Sequence, residues 1–202
     1  LKTGSVSVYV VDTVVPVYVK TPHKAYLVSD KVVVTRNDIL SNVSGGCFTP
    51  KIVLLSDTVY DCADAISNPH YILFSINGAA ADSVMVTVLD TVKPALKVAN
   101  DTLYINTAGV QDSVSFRNLD IGSVDNCGID STAINSKQML YFSCADVGVH
   151  EVTIQAWDES MNLSIDTAYV HVLDTITFRY TKMDQTLYLD YQAKTISRKD
   201  FV

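Results

Sequence analysis

Acidic and amide side chains at three points of the sequence could together bind a divalent cation. They are Asp90, the neighbouring pair Asp125 and Asn126, and Asp158 with Asn162. All five offer oxygen atoms as ligands, and an all-oxygen ligand set is the one that Ca²⁺ prefers. Several carboxylates brought together would repel one another unless a cation lay among them. The residue types therefore predict a calcium site, provided that the fold brings the three segments to one place.

The four cysteines are a second group of residues that could do chemistry, because their thiols can form disulfides or bind a metal. Cys62 and Cys144 share a context, since each is followed by Ala and Asp, and Cys47 and Cys127 precede them by similar intervals. An even number, divided equally, predicts the disulfides Cys47–Cys62 and Cys127–Cys144. A two-residue hairpin turn at Asn135-Ser136 would place Cys127 opposite Cys144, as close as a disulfide requires. The alternatives are buried free thiols or, less consistent with the spacing, zinc ligands. Disulfides imply an oxidising, extracytoplasmic location.

One alternating segment recurs three times and divides the chain into repeats. SIDTAYVHVLDT at 164–175 ends in Asp-Thr, as do SVMVTVLDT at 83–91 and SVSVYVVDT at 5–13. Alternation with a period of two predicts a β-strand with one buried face. The recurrence predicts an array of units of about 80 residues. We expect the last strand of a preceding repeat at 1–13, repeat one at 14–91, repeat two at 92–175 and the start of a third repeat at 176–202.

The pattern within repeat two predicts seven short strands and almost no helix. The expected strands are 95–98, 102–106, 112–117, 128–134, 137–143, 150–157 and 164–173. Short strands separated by turn signals are typical of an immunoglobulin-like sandwich, and no longer segment combines a helical period with caps. We therefore expect an all-β fold of tandem immunoglobulin-like β-sandwich repeats.

This fold would bring the candidate calcium ligands together. In such a sandwich the loops that carry Asp125 and Asp158 lie at the end where the chain enters, beside the linker residue Asp90. A cation there would stiffen the connection between the repeats. The competing explanation is ordinary turn chemistry, because Asp and Asn favour loops in any case. The same end of repeat one should lack a site, since Gly45-Gly46 supplies no side-chain ligand.

Composition excludes several classes of function. A net charge of -7 argues against nucleic acid as a partner, because an acidic surface repels phosphate backbones. The apolar runs are too short to span a bilayer, so we expect no membrane span in this segment. The sequence contains no G-x-S-x-G, no H-E-x-x-H and no glycine-rich phosphate loop, so we expect no enzyme activity. Because the chain starts in a closing strand and stops inside an opening one, we expect it to be an excerpt of a longer polypeptide.

The motifs of repeat two form an ordered set that is specific in combination. They are D-N-C-G at 125–128, C-A-D-V-G at 144–148, W-D at 157–158 followed by Asn162, and L-D-T at 173–175. The set resembles the hyalin (HYR-type) repeats, which are immunoglobulin-like domains of very large surface adhesins of Bacteroidetes bacteria, including gliding-motility adhesins. Repeat one resembles them less closely, because Gly45-Gly46 replaces the Asp-Asn pair. The resemblance implies an extracellular stalk or adhesin role and export by the type IX secretion route.

A tripeptide of Asp, then Ser or Thr, then an apolar residue is unusually frequent. Exported proteins of the bacterial group that this chain resembles carry O-glycans at this signal, which predicts O-glycosylation at some of its hydroxyl residues. The competing explanation is the chemistry of turns and strand starts. The candidate sites are Thr13, Thr58, Ser83, Thr91, Thr102, Ser113, Thr167 and Thr175.

Three functions compete at this point. The first is a structural stalk segment of a long repetitive cell-surface adhesin or filament, which the similar repeats and short linkers favour. The second is a module that binds a carbohydrate or another surface, and the third is an accessory region of a secreted hydrolase. The expected partners are neighbouring repeats of the same chain, with surface glycans or like chains as further candidates.

Overall fold

The computed structural model describes residues 4–9, 11–106 and 109–176. Apart from Ile176, the predicted start of a third repeat lies outside the described residues. The described chain consists mainly of β-strands, with a few helical turns of three to five residues.

Repeat one contains eight strands and two short helices. The strands are β1 (Val17–Lys20), β2 (His23–Leu27), β3 (Lys31–Val33), β4 (Leu40–Ser44), β5 (Ile52–Leu54), β6 (Val59–Asp61), β7 (His70–Ile76) and β8 (Asp82–Asp90). The helices are α1 (Arg36–Ile39) and α2 (Cys62–Ile66).

The described residues of repeat two, 92–106 and 109–175, contain six strands, one short helix and one 3₁₀ turn. The strands are β9 (Asp101–Ile105), β10 (Asp112–Ser115), β11 (Ser131–Ile134), β12 (Met139–Phe142), β13 (Gly148–Trp157) and β14 (Leu163–Asp174). The helix is α3 (Phe116–Leu119), and the 3₁₀ turn spans Cys144–Asp146.

The two repeats share one topology. Repeat one has a four-stranded sheet in the order β2-β8-β7-β5, and repeat two has the matching sheet β9-β14-β13-β11. In both sheets the last strand of the repeat pairs antiparallel with the strand before it and in parallel with an early strand, β2 in repeat one and β9 in repeat two. The facing layer holds β3 with β6 in repeat one and β10 with β12 in repeat two. The predicted all-β fold of tandem immunoglobulin-like sandwiches is confirmed.

Each repeat has a hydrophobic core of its own between its two layers. In β8 the side chains of Val84, Val86 and Val88 are buried, and in β14 those of Ala168, Val170 and Val172 are buried. These are alternate residues, as a strand with one buried face requires. Apolar burial of this kind supplies most of the stability of each sandwich.

The predicted strands of repeat two are largely confirmed, with two differences. The segment predicted as a strand at 95–98 forms two isolated bridges, Ala95 with Val124 and Val98 with Asp120. The strand predicted at 112–117 ends at Ser115, where the chain turns into α3. The strand ends there because Ser115 and Asn118 form a capping box at the start of the helix. In it, Asn118 Oδ1 accepts the Ser115 N–H at 2.9 Å.

The end of a repeat at which the chain enters is called its head, and the end at which its last strand finishes is called its tail. The contact around Asp90, where the tail of repeat one meets the head of repeat two, is the second joint. The contact around Asp12, at the head of repeat one, is the first joint.

Candidate metal centre at the second joint

Asp90 is the last residue of β8 and is only 7% exposed. Its Oδ1 accepts the backbone N–H of Val92 at 3.0 Å, which turns the linker away from the strand. The same Oδ1 accepts a longer hydrogen bond, 3.3 Å, from Nδ2 of Asn126 in repeat two. Its Oδ2 is buried and accepts no hydrogen bond from the described residues. One carboxylate oxygen of repeat one is therefore held in place at the joint with its lone pairs free.

Asp125 and Asn126 reach the same place from the head loop of repeat two. Asp125 Oδ1 accepts the N–H of Cys127 at 2.8 Å, which fixes the loop. Asp125 Oδ2 and Asn126 Oδ1 are both buried and accept no hydrogen bond from the described residues. Unpaired buried oxygens are costly, because each has lost its water without gaining a partner. Three such atoms at one joint are oxygens that could coordinate a cation.

Asp158 directly follows β13 and is fully buried. Its Oδ1 accepts the N–H of Asn162 and its Oδ2 accepts a hydrogen bond from Asn162 Nδ2, both at 2.8 Å. The same Nδ2 lies 3.1 Å from the backbone carbonyl of Asp90 and donates to it. Asn162 thus contributes a donor that ties the Asp158 loop to the last residue of repeat one.

Three carboxylates from two repeats meet at this joint. Carboxylate oxygens of Asp90, Asp125 and Asp158 lie within 4.8 Å of one another. Two ligands that are each about 2.4 Å from one calcium ion are at most about 4.8 Å apart, so the three carboxylates fit around a single ion. The ion pairs found among the described residues, Lys20 with Asp82 and His70 with Asp64, involve none of them.

The environment disfavours the charged form of Asp125. Burial raises the pKa of its carboxyl above the ordinary value, and the neighbouring carboxylates of Asp158 and Asp90 raise it further. The hydrogen bond from the Cys127 N–H opposes these effects only in part. A cation among the three groups would favour the charged form of Asp125 and so oppose both the burial and the repulsion that raise its pKa.

The second joint also carries a disulfide. Cys62 and Cys127 are bonded, with their Cα atoms 5.4 Å apart, a normal separation for such a bond. Cys62 begins α2 at the tail of repeat one. Cys127 follows Asn126 in the head loop of repeat two, yet it packs against the hydrophobic core of repeat one. The covalent link therefore joins the two repeats beside the carboxylates.

The predicted disulfides within each repeat, Cys47–Cys62 and Cys127–Cys144, are wrong, because Cys47 and Cys144 are free thiols. For Cys127–Cys144, the reason lies in the strand pairing on either side of the turn at Asn135-Ser136. This turn does form, with both residues at positive φ. However, the strands on either side of it do not pair as a hairpin.

After the turn the chain changes layer. Strand β11 pairs with β13 in the four-stranded sheet, whereas β12 pairs with β10 in the facing layer. Phe142, at the end of β12, pairs with Asp112, which follows the loop after Ile105. Ile105 itself lies beside Asp174 at the tail. Cys144 therefore lies at the tail of repeat two and Cys127 at its head, at opposite ends of the sandwich.

The first joint is built differently from the second. Asp12 Oδ1 accepts the N–H of Val14 at 3.0 Å, and its Oδ2 accepts the N–H of Cys47 at 2.9 Å. Gly46 has a φ of +56°, and a Cβ at this position would collide with the Asp12 carboxylate. Gly45 is equally confined, since its Cβ would lie 2.8 Å from the Cα of Pro16. The glycine pair thus makes room for Asp12 to cap the loop, which sequence reasoning treated only as a missing ligand pair.

The candidate glycosylation residues are all at least partly accessible. Thr13, Thr91, Thr167 and Thr175 are exposed, and the other four are of intermediate exposure. The preceding Asp usually has a structural role as well: its carboxylate accepts the N–H of the next residue at 82, 101, 112 and 166, and of the second residue on at 12, 90 and 174. Turn and strand-start chemistry therefore accounts for much of the motif, and glycan attachment stays a prediction.

No known protein family and no curated protein matches the chain. Among solved structures, it is similar to EC1-2 of a human mucin-like protocadherin, with 10% identity, a TM-score of 0.37, and coverage of 79% of this chain and 99% of that one. The tandem Ig repeats of Dlar show 10% identity and a TM-score of 0.27 over 79% of this chain and 98% of that one. EC22-24 of mouse cadherin-23 shows 12% identity and a TM-score of 0.26 over 82% and 67%. Similarity at this level carries no argument about function.

The fold and the site together define a class of protein on their own evidence. The chain consists of tandem immunoglobulin-like sandwiches whose joint combines a covalent bond with a buried carboxylate cluster. None of the helices in the described part of the chain has the length and apolarity needed to cross a bilayer.

Proposed function

We propose that this chain is a structural stalk segment of a long repetitive cell-surface adhesin, and that Ca²⁺ bound at the second joint stiffens it. The observation that carries the proposal is the convergence of Asp90, Asp125 and Asp158 at the joint, with one buried oxygen of Asp90 and one of Asp125 unpaired. An extended, load-bearing role needs fixed angles between repeats. A cation shared by two repeats provides this, because bending the joint would break the coordination.

The donor set favours calcium over other ions. Three carboxylates and the Oδ1 of Asn126 supply oxygen alone, which suits Ca²⁺ and does not suit zinc or copper. Ca²⁺ takes six to eight ligands in a flexible geometry, so bidentate carboxylates and water could complete its coordination. Mg²⁺ demands a stricter octahedron and retains its water more firmly.

The ion would link the repeats because its ligands come from both of them. Asp90 belongs to the last strand of repeat one, whereas Asp125 and Asp158 belong to loops of repeat two. Any ligand that binds the folded joint and not the unfolded chain stabilises it by mass action, by about 2.7 kcal/mol when its concentration is 100 times Kd. This stabilisation would add to that of the disulfide Cys62–Cys127.

The disulfide supports an extracellular location as part of this proposal, because such bonds persist in oxidising compartments and are rare in the cytosol. The ordered motifs of repeat two also support the proposal, because they resemble those of hyalin-type repeats. This resemblance suggests a Bacteroidetes surface adhesin of the gliding-motility kind, exported by the type IX secretion route. Accessible Asp-Ser and Asp-Thr hydroxyls are consistent with O-glycans on such a stalk. The proposed role requires no catalysis.

Calorimetric titration of the 202-residue chain with Ca²⁺ tests the metal site. We expect one saturable binding event in the wild type and its loss in Asp125→Asn, which keeps an oxygen for the Cys127 N–H but removes the charge. Asp12→Asn is the matched control, because Asp12 occupies the corresponding turn at the first joint, and it should bind as the wild type does. The absence of binding heat in the wild type would refute the calcium site.

The stalk role has a separate test. Small-angle scattering of the same chain should give a narrower distribution of end-to-end distances with Ca²⁺ than with a chelator. Equal distributions in a chain that demonstrably binds Ca²⁺ would contradict the stiffening role.

A further inference from the structure

The two free cysteines occupy the same structural positions as the two bonded ones. Cys144 corresponds to Cys62 at the tail of a repeat, and Cys47 corresponds to Cys127 in a head loop. The observed disulfide joins a tail cysteine to the head-loop cysteine of the next repeat. The surroundings of Cys144 resemble those of Cys62, and the surroundings of Cys47 resemble those of Cys127.

The turns that present the two tail cysteines are built in the same way. Cys62 is the first residue of α2, which is capped by Asp61 through the N–H of Ala63 at 3.0 Å. Cys144 is the first residue of the 3₁₀ turn, which is capped by Ser143 through the N–H of Ala145 at 3.3 Å. In both turns the third residue is an Asp that completes a capping box.

A histidine fixes each turn against the sandwich behind it. His70 Nε2 lies 2.8 Å from the carbonyl oxygen of Asp64, and His150 Nε2 lies 2.6 Å from that of Asp146. The two rings pack at similar distances on the aromatic residue two positions before the cysteine, 5.2 Å for Tyr60 and 5.1 Å for Phe142. Cys62 packs against the core of repeat one, and Cys144 packs in the same manner against that of repeat two.

The head-loop cysteines also share their local support. The N–H of Cys127 donates to the Asp125 carboxylate at 2.8 Å, and the N–H of Cys47 donates to the Asp12 carboxylate at 2.9 Å. Cys47 is exposed at the head of repeat one. Cys47 and Cys144 cannot bond to each other within one chain, because both sandwiches lie between them.

We propose that Cys47 and Cys144 each form a disulfide of the same inter-repeat kind as Cys62–Cys127, each with a cysteine of the adjoining repeat in a longer chain, so that a continuous series of disulfides links successive repeats. The partner of Cys144 is a head-loop cysteine, and the partner of Cys47 is a tail cysteine. This inference rests on the proposed tandem array. It does not depend on calcium.

The spacing in this chain fixes where the partners fall. Head-loop cysteines follow the joint aspartates by 35 residues (Asp12 to Cys47) and 37 residues (Asp90 to Cys127). Tail cysteines precede them by 28 residues (Cys62 to Asp90) and 30 residues (Cys144 to Asp174). The partner of Cys144 should thus lie 35 to 37 residues after Asp174, and that of Cys47 should lie 28 to 30 residues before Asp12.

Each bond forms by thiol–disulfide exchange with an oxidised dithiol oxidoreductase of the export compartment. The Cys144 thiolate attacks one sulfur of the oxidant disulfide, which gives a mixed disulfide and releases the other sulfur as a thiolate. The thiolate of the partner cysteine then attacks the Cys144 sulfur, forming the inter-repeat bond and expelling the second oxidant thiolate. The protons of the two protein thiols end on the oxidant, which is reduced by two electrons.

Disulfide mapping of the native long protein tests the proposal. After free thiols are blocked with N-ethylmaleimide in acid, proteolysis without reductant should yield the Cys144 peptide cross-linked to a peptide from the predicted head loop. The Cys47 peptide should be cross-linked to one from the predicted preceding tail. Cys144 or Cys47 carrying the blocking group beside an intact Cys62–Cys127 bond would overturn the series while leaving the stalk and the calcium site standing.

Thiol counting on the 202-residue chain gives a second, independent reading. In denaturant without reductant, Cys47 and Cys144 should react and Cys62 and Cys127 should not. The matched variant Cys62→Ser should expose Cys127 as a third reactive thiol. No reactive thiol in the wild type, or a cross-link of Cys47 with Cys62 or of Cys127 with Cys144, would overturn the proposal.

Discussion

The two joints of this chain differ in the number of carboxylates that accept hydrogen bonds from equivalent backbone N–H groups. At both joints, a backbone N–H in the linker and a backbone N–H in the head loop need acceptors. At the first joint Asp12 serves both, one with each oxygen. At the second joint Asp90 accepts from the linker and Asp125 accepts from the head loop. Dividing the task leaves one oxygen of each residue unpaired at the second joint.

This difference indicates how the proposed metal site could arise from a capping motif. Gly46 lets the Asp12 carboxylate reach the head loop, because any side chain there would displace it. Repeat two has Asn126 at the corresponding position, so the head loop needs its own acceptor, Asp125. Asp158 then adds a third carboxylate, where repeat one has Asn77, whose Oδ1 is already occupied by the Lys51 N–H. Of the three proposed ligands, the first joint therefore retains only the counterpart of Asp90, which is Asp12.

The electrostatics of the two joints differ in the same direction. The N–H groups of Val14 and Cys47 hold the pKa of Asp12 below its ordinary value of 3.8. Burial and two neighbouring carboxylates raise the pKa of Asp125 instead. Both carboxylate oxygens of Asp12 accept hydrogen bonds at the first joint, whereas the second joint retains unpaired oxygens that the proposed cation would bind.

The largest expected effect comes from breaking the covalent half of the second joint. Replacing both Cys62 and Cys127 by Ala should lower the free energy of unfolding by about 4 kcal/mol, because the chain-entropy model assigns that value to a loop of 65 residues. Urea unfolding in the presence of chelator measures it. The double variant Cys47→Ala with Cys144→Ala is the control and should unfold as the wild type does. An equal loss of unfolding free energy in both double variants would show that the disulfide Cys62–Cys127 does not stabilise the second joint.

The next largest expected effect is that of Asp125→Asn on the free energy of unfolding, and its sign depends on whether Ca²⁺ is present. With chelator, Asp125→Asn should raise the free energy of unfolding, because it removes a disfavoured buried charge and keeps an acceptor for Cys127. With Ca²⁺ at 100 times Kd, the same variant should instead forgo about 2.7 kcal/mol of ligand stabilisation. Urea unfolding under the two conditions measures both. Destabilisation of equal size with and without Ca²⁺ would contradict the assignment of Asp125 as a ligand.

A smaller effect sharpens the description of the first joint. Gly46→Ala should destabilise repeat one by roughly 1–3 kcal/mol, because the residue lies at positive φ and its Cβ would displace the Asp12 carboxylate. The loss should be the same with and without Ca²⁺. Gly78→Ala is a useful control, since Gly78 also has a positive φ but open space around its Cβ position. A loss at Gly46 no larger than that at Gly78 would show that the contact with Asp12 is unimportant.

The smallest effect is a pH dependence at the first joint. Because the folded-state pKa of Asp12 lies below its unfolded value, its contribution to stability is present above pH 3.8 and is lost as the pH falls through the folded pKa. An NMR titration of the Asp12 carboxyl should therefore have its midpoint below 3.8. A midpoint at or above that value would show that the two N–H bonds do not favour the ionised form.

The sequence was a good guide to features set by local pattern. Alternation correctly predicted the closing strands β8 and β14, whereas the described residues of the similar segment 5–13 form no strand. The predicted sandwich also led us to expect Asp90 beside the head loops of the next repeat. The disulfides could not be predicted in this way. A two-residue turn such as Asn135-Ser136 suits both a hairpin and a change of layer, and only the pairing of β11 and β12 with different partners decides between them. The capping role of Asp12 was also hidden, because it depends on a contact across the joint.

A crystal structure of the 202-residue chain grown with Ca²⁺ tests the central claim most directly. The account predicts one calcium ion at the second joint, coordinated by Asp90, Asp125 and Asp158, and none at the first joint, where Asp12 caps Cys47. Ions at both joints would contradict the contrast drawn between them. A second joint without an ion at saturating Ca²⁺ would contradict the metal site itself.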